Sequence, residues 1–333
     1  MSMIQLSTQM VRAAQSLPYL SLLTLVSRLP LPLGHRVARA IGRMLCAVDG
    51  ARRDRSTTTL ASRLEIDRAH AEEITRRSFE LMCCDDLDSW LVPRLSKESV
   101  GRLISFEGLH YLDAALARGK GVVLYSGHIW GSRLCIVGLG LLGYRIVRVR
   151  RNRRHQRNEH ARGWLQRHEA GKSHAFDRQH FDRYRGFATN KARYKRTFET
   201  KLGGRIVGSL EPGGSVQTGL MCVGALRKNE IVALRPDLLL QRNAKPGDLD
   251  VSFLNGEEKF RVGGAQIARA AGAPLLSVWV HRPAELLPSR CVIGSPIEVN
   301  GDLRAAVEAQ AARMEAEVRQ DPASWSAWLL RPA

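Results

Sequence analysis

Apolar residues in this chain follow two rhythms that alternate along most of its length. Short unbroken runs rich in β-branched residues read as buried strands. They are Gly121-Val122-Val123-Leu124-Tyr125, Gly204 to Leu210, Glu230-Ile231-Val232-Ala233-Leu234, Pro274 to Val280 and Cys291-Val292-Ile293. Val251 to Asn255-Gly256 ends in a turn. Between these runs the apolar positions spread to helical spacing. Asp67 is placed to cap a helix running through Ile74, Phe79 and Met82 and ending near Trp90, before Pro93. Phe106 to Gly119 reads as a short helix stopped by its glycine, and Leu134 to Leu142 as another. Ser215–Leu226 and Gly263–Ala271 follow the same spacing, and Asp302 caps a last helix through Val318, stopped by Asp321-Pro322. Helix and strand in alternation predict an α/β fold: a mixed, largely parallel sheet flanked by helices, in a single domain.

Residues 1–60 read differently, as apolar helical pieces, one around His35 to Val48, closed by a basic turn at Arg52-Arg53-Asp54-Arg55. The chain thus divides into an N-terminal helical segment, 1–60, and an α/β domain, 61–333, that carries a basic insertion at 145–205. The longest apolar stretch, Leu17 to Leu33, is interrupted by Arg28 and three prolines, whereas a span needs ~20 unbroken apolar residues. Its Leu-rich first half fits a membrane interface and the protein's own core equally well. The first 16 residues lack the charged and apolar regions of a secretory leader. Six cysteines (Cys46, Cys83, Cys84, Cys135, Cys222, Cys291) show no disulfide-like or zinc-like spacing. The expectation is a reduced protein, cytoplasmic or peripheral on the cytoplasmic face of the inner membrane.

Charge changes the picture. The net charge is +19, and between Arg145 and Arg205 there are 19 Lys and Arg against 5 Asp and Glu. A field of that sign and density points to a polyanion: an anionic membrane surface, nucleic acid or an acidic protein. Five of the ten histidines (His155, His160, His168, His174, His180) lie in this stretch. The surrounding cations repel a divalent metal, so no metal is expected. Gly138-Leu139-Gly140-Leu141-Leu142-Gly143 has dinucleotide-fingerprint spacing, but it falls at the end of a Leu-rich helix instead of at a strand-to-helix turn, with a basic stretch beyond. Close helix packing is the expected role, and no cofactor is expected. The lack of a Gly-x-Ser-x-Gly elbow argues against a serine hydrolase.

The chemistry points to Gly127-His128-Ile129-Trp130-Gly131. A strand ending in Ser126-Gly127-His128 delivers a histidine to the carboxyl edge of the sheet, where ligands collect in open α/β folds. Gly127 permits close approach, Trp130 shapes a crevice mouth, and His128 is placed to act as a general base.

These residues carry a resemblance. Glu107-Gly108-Leu109-x-x-Leu112-x-x-Ala115-Leu116-x-x-Gly119-Lys120-Gly121-Val122-Val123-Leu124-x-x-Gly127-His128 resembles the bacterial lipid A lauroyl/myristoyl acyltransferases. Ala225-Leu226-Arg227 with Ile231-Val232-Ala233-Leu234-x-x-Asp237, Phe253-Leu254-Asn255-Gly256, the block from Ala268 to Val278, and Asp321-Pro322-x-x-Trp325-x-x-Trp328-x-x-Arg331 are similar to later blocks of that family. The resemblance implies a hydrophobic acyl groove, peripheral membrane attachment, and transfer of an acyl group from acyl carrier protein or acyl-CoA to a hydroxyl of a lipid or glycolipid. It also implies a His-x4-Asp/Glu motif in which the carboxylate orients the histidine. Here His128 matches, and the acidic position is Arg133. A guanidinium cannot accept the imidazole N–H and opposes imidazolium formation.

Three readings follow. Another carboxylate, Asp237 or Glu211, orients His128; or the acceptor is an amine or hydroxylamine that needs little base, with the acyl or aminoacyl group coming even from a tRNA; or the chain is a non-catalytic relative. In the first, Arg133 clamps a phosphate or oxyanion. Gly127, Trp130, Gly256, Arg148, Arg150, Arg151, Arg153 and Arg154 then contribute to substrate binding.

Overall fold

The computed structural model describes residues 21–151, 205–209, 214–237, 244–283, 288–299 and 301–331. Three helices open it after a helical turn at 21–26: α1 (Leu31–Val48), α2 (Gly50–Leu64) and α3 (Arg68–Leu91). Asp67 caps α3 by accepting the His70 N–H at 2.8 Å. The basic stretch Arg52 to Arg55 is not a turn but part of α2. Its arginines are good helix formers, and Arg52 is buried with its guanidinium over the Phe79 ring of α3, 5.9 Å from the ring centre. The chain reverses one step earlier, at Asp49.

After the short helix α4 (Lys97–Val100) comes the α/β alternation. It runs β1 (Ile104–Glu107), α5 (Leu109–Ala117), β2 (Val122–Tyr125), α6 (Ser132–Leu141), β3 (Ile146–Arg151), β4 (Arg205–Ser209), α7 (Gly214–Leu226), β5 (Ile231–Leu234), β6 (Leu249–Ser252), β7 (Glu257–Phe260), α8 (Gly263–Ala271), β8 (Leu275–His281), β9 (Ser289–Ile293), α9 (Leu303–Gln320) and α10 (Ala327–Leu330). Seven strands form one sheet in the order β1-β9-β8-β2-β5-β3-β4, and β6 and β7 form a separate antiparallel hairpin. Within the sheet only the β8–β9 pair is antiparallel. The expected architecture, a mixed and largely parallel sheet flanked by helices in one α/β domain, is therefore what forms.

The central strand explains its own position. Every residue of β2 is buried, as a strand covered on both faces requires. The crossover from β2 to β3 runs in the opposite direction to that from β4 to β5. Right-handed connections therefore put α6 and α7 on opposite faces. Helix α3 packs on α6, with α1 and α2 outside it. Gly138 of the fingerprint-like run sits inside α6, where an added Cβ would come within 2.7 Å of the Phe106 ring. Packing is thus the visible role of that glycine. The stretch Ile146–Arg151, expected as the irregular start of a basic insertion, is instead a sheet strand between β5 and β4. Residues 152–204, with Arg153, Arg154 and the five histidines, lie outside the described residues, as does Glu211.

Candidate active site

Strand register alone brings two of the expected residues together. β2 and β5 are adjacent and parallel, and Tyr125 pairs with Leu234 as the last matched residues. Three residues past Tyr125 is His128, and three past Leu234 is Asp237. At the carboxyl edge they meet: His128 Nδ1 lies 2.8 Å from Asp237 Oδ1, and the His128 backbone N–H donates to Asp237 Oδ2 at 2.9 Å. Trp325 Nε1 donates to the same Oδ2 at 3.0 Å. The carboxylate is 1% exposed and accepts from all three groups. A carboxylate only accepts, so Nδ1 carries the hydrogen of this bond. Nε2 is then the ring's basic nitrogen and has no hydrogen-bond partner among the described residues; the His128 side chain is 20% exposed.

Electrostatics follow from this geometry. Burial works to raise the Asp237 pKa, but the charge and hydrogen bond of His128, its backbone N–H and the Trp325 indole outweigh it. The carboxyl ends well below the usual carboxylate range. Burial lowers the His128 pKa below its ordinary 6.5; Asp237 pulls the other way, and Arg235 and Arg331 add to the lowering. A ring neutral at pH 7, with one nitrogen fixed as donor and the other open, is equipped to take a proton.

Three elements hold the turn. Gly127 is wedged where an added Cβ would lie 3.0 Å from Met314 Cε and 3.2 Å from the Trp279 ring, so any side chain here requires both neighbours to give by a few tenths of an ångström. Gly131 has φ +85° as it leads into α6, and its N–H donates to Asp85 Oδ1 of α3 at 2.8 Å. The C-terminal tail closes the turn from the other side. Ser326 N–H and Oγ both donate to the His128 carbonyl, at 2.7 and 2.6 Å, and Trp130 N–H donates to Ser324 O at 2.9 Å.

The model of the bacterial lipid A biosynthesis acyltransferase family matches residues 4–175, more than half of the chain. The chain belongs to that family. The matched region holds His128 and Arg133, and Asp237 lies beyond it. No curated protein matches the chain.

Membership in the lipid A acyltransferase family sets the background for the remaining residues. Arg133 points to α3: its guanidinium lies 3.3 Å from Asp85 Oδ2 and donates to Ser89 Oγ at 2.5 Å. Trp130 is buried and donates through Nε1 to Ser78 Oγ at 3.2 Å, so it ties the turn to α3. Arg148 is half-buried on β3, paired across the strand with Ala233 of β5. Arg150 and Arg151 continue the same strand. Gly256 is not brought to His128. It lies at the turn of the β6–β7 hairpin against Arg63 of α2, whereas Asp237 bridges to Phe260 at the other end of that hairpin.

Sequence reasoning passed over Arg235, which donates to Ser132 Oγ at 2.7 Å at the start of α6. The one available signal was its place two residues before Asp237. Nor was Asp85 found. Its acidic neighbourhood on α3 (Asp85, Asp86, Asp88) reads as a helix face until Gly131 and Arg133 are seen against it.

Proposed function

We propose that this chain transfers an acyl group from a thioester donor, acyl carrier protein or acyl-CoA, to a hydroxyl of a lipid or glycolipid, with His128 as general base and Asp237 as its orienting carboxylate. His128 Nε2 takes the hydroxyl proton as the oxygen attacks the thioester carbonyl. The tetrahedral intermediate then expels the thiolate, which receives that proton from the imidazolium. Asp237 keeps Nδ1 protonated and stabilises the imidazolium while it exists. The observation that carries this reading is the 2.8 Å contact between His128 Nδ1 and a buried carboxylate. It supplies from β5 the function that position 133 lacks, which favours a working enzyme over a non-catalytic relative.

Arg133, held by Asp85 and Ser89, keeps a fixed positive charge beside the turn in this reading. Attachment is peripheral, on the anionic cytoplasmic face of the inner membrane, through the N-terminal helices. Leu25 is 61% and Val48 70% exposed there, among Leu22, Leu29, Leu33 and Met44. No helix among the described residues is long and apolar enough to cross a membrane.

The decisive experiment follows labelled acyl transfer from acyl carrier protein and from acyl-CoA to a lipid hydroxyl, in the full chain and in His128→Ala. Transfer that disappears in the variant supports the reading. Equal transfer in both removes His128 from the mechanism.

A further inference from the structure

We propose that Cys135 and Cys291 form a disulfide site, closed by a small hydroperoxide, that staples the helix after the His128 turn to the sheet. Their Sγ atoms lie 3.1 Å apart, with one thiol donating to the other. A disulfide bond is ~2.04 Å long, so about 1 Å of approach separates the pair from it. The two residues are 156 positions apart in sequence, a spacing that no local pattern marks. All six cysteines are buried, so burial does not single this pair out; the sulfur contact does.

The backbone brings the two sulfurs together. Cys291 is in the middle of β9, with Phe106 of β1 beside it on one edge and Val280 of β8 on the other. Cross-strand neighbours point to the same face of a sheet. α6 and the Gly131 that leads into it meet both neighbours through glycines. An added Cβ would come within 2.8 Å of Val280 Cγ1 at Gly131 and within 2.7 Å of the Phe106 ring at Gly138. Cys135 is four residues after the first glycine and three before the second, so the three share one helix face. The glycines let the helix down onto Val280 and Phe106, and Cys135 is thereby set over the residue between them. β9 is in turn fixed by ladders on both of its edges. Closure then asks for a small side-chain adjustment on two fixed elements.

The step balances with hydrogen peroxide as the oxidant. One sulfur attacks a peroxide oxygen, the O–O bond breaks, and a sulfenic acid and a water result. The second sulfur then attacks the first. The S–S bond forms, the S–O bond breaks, and the leaving hydroxide takes up the second thiol's proton as water. Two thiols and one peroxide thus give one disulfide and two waters, with two electrons passing from sulfur to oxygen. Burial, and next the hydrogen bond with Cys135, push the Cys291 thiol well above its ordinary pKa. Thiolate is the attacking form, so closure is slow and is followed over hours. The link joins residues 156 apart in the chain, and long loops gain most in stability when closed.

The test uses the full chain without substrate. Reduced wild type, Cys135→Ala, Cys291→Ala and, as a control, Cys222→Ala are incubated with hydrogen peroxide. Each is then digested without reductant and mapped by mass spectrometry, with melting followed in parallel. Wild type and Cys222→Ala yield two peptides joined through Cys135 and Cys291, lighter by two hydrogens and separated by reductant. Both proteins melt about 5 °C or more higher once linked. Neither Cys135→Ala nor Cys291→Ala yields that pair or gains stability. Should an alanine variant fail to fold, the wild-type peptide map decides by itself. Sulfinic or sulfonic acid at either position in place of the link, a link between other cysteines instead, or no product after prolonged incubation overturns the proposal. So does a linked protein that melts no higher than the reduced one, because its sulfurs were then not placed for bonding. The inference stands apart from the transfer reading: His128→Ala links as wild type does, whatever becomes of its activity.

Discussion

At the residue scale, the site is an exchange of charges between two positions. Where the family resemblance implies a carboxylate, position 133 carries a guanidinium that is absorbed by Asp85 and Ser89, and the imidazole finds its carboxylate on the neighbouring strand. Two substitutions separate these roles. Asp237→Asn keeps the shape but can donate to Nδ1 and so trap the wrong tautomer. Transfer is expected to fall by about 10³–10⁴-fold with the fold retained. Because the His128 pKa is already lowered, kcat/KM should rise with pH through a value below 6.5 and be level at neutral pH. Asp237 raises the ring's pKa, so Asp237→Asn shifts that acidic limb further down while lowering the plateau. A pH–rate profile tests both, and a limb that moves upward contradicts the assignment. Arg133→Glu restores the acidic residue that the family motif would have, and it also sets a second carboxylate against buried Asp85. It is expected to cost about 2–4 kcal/mol in stability, by breaking a largely buried pair and adding like charge, and to leave transfer no faster. Chemical denaturation beside the transfer assay decides it; a stable and faster variant would show that Asp237 is not the operative carboxylate.

At the element scale, packing against charged helix surfaces fixes α3 and α9 to the sheet. His281, at the end of β8, lies 2.9 Å from Glu317 of α9 and 3.9 Å from Asp321, which also faces Arg77 of α3 at 3.7 Å. Burial lowers the His281 pKa, but Asp321 and Glu317 together outweigh it and bring the pKa to about 9. A folded pKa above the ordinary 6.5 means the stabilisation is fully present below about pH 6.5 and is lost as pH rises through about 9. The melting temperature of wild type should therefore drop by several degrees more than that of His281→Gln between pH 7 and pH 10; parallel curves would remove the ion pair from the account. Such cross-element ties were invisible in the chain, whereas the elements themselves were largely legible. Strands β2, β5 and β8 announced themselves as unbroken apolar runs because they are covered on both faces. β1 was missed because only Ile104 of its four residues is fully buried and the strand runs into the helix after Gly108. β3 was missed because half of its positions are arginines, whose charge masked the alternation. The β6–β7 hairpin showed only its turn, since Glu257-Glu258-Lys259 carries no apolar pattern.

At the scale of the whole molecule, the site depends on contacts more than 80 residues apart in sequence. Single-strand patterns located His128, and the dyad follows once β2 and β5 are known to be neighbours, which no local pattern states. The tail is less legible still. Asp321-Pro322, Trp325, Trp328 and Arg331 were readable as a family-like pattern, but the reason for the spacing lies in where the tail lands. It runs against the turn after β2, bridging Ile129 with Trp325, and lays the Trp325 ring edge-on to Phe253 and Trp328 at 5.4 and 4.7 Å, with the Arg331 guanidinium 4.8 Å above it. The indole N–H then reaches Asp237. The tail therefore helps set the aim of the Asp237 carboxylate, and Trp325→Phe isolates that contribution. Phenylalanine keeps an aromatic ring against Phe253 and Trp328 but withdraws one of the two donors to Asp237 Oδ2, freeing the carboxylate to rotate about its remaining bonds. Loss of a hydrogen bond to a buried charge costs about 1.5–3 kcal/mol, so stability drops by that order. Since Trp325 acts through Asp237, kcat should fall about tenfold with KM for both substrates nearly unchanged. If KM rises while kcat holds, the tail belongs to the binding surface, and the carboxylate is held well enough by His128 alone.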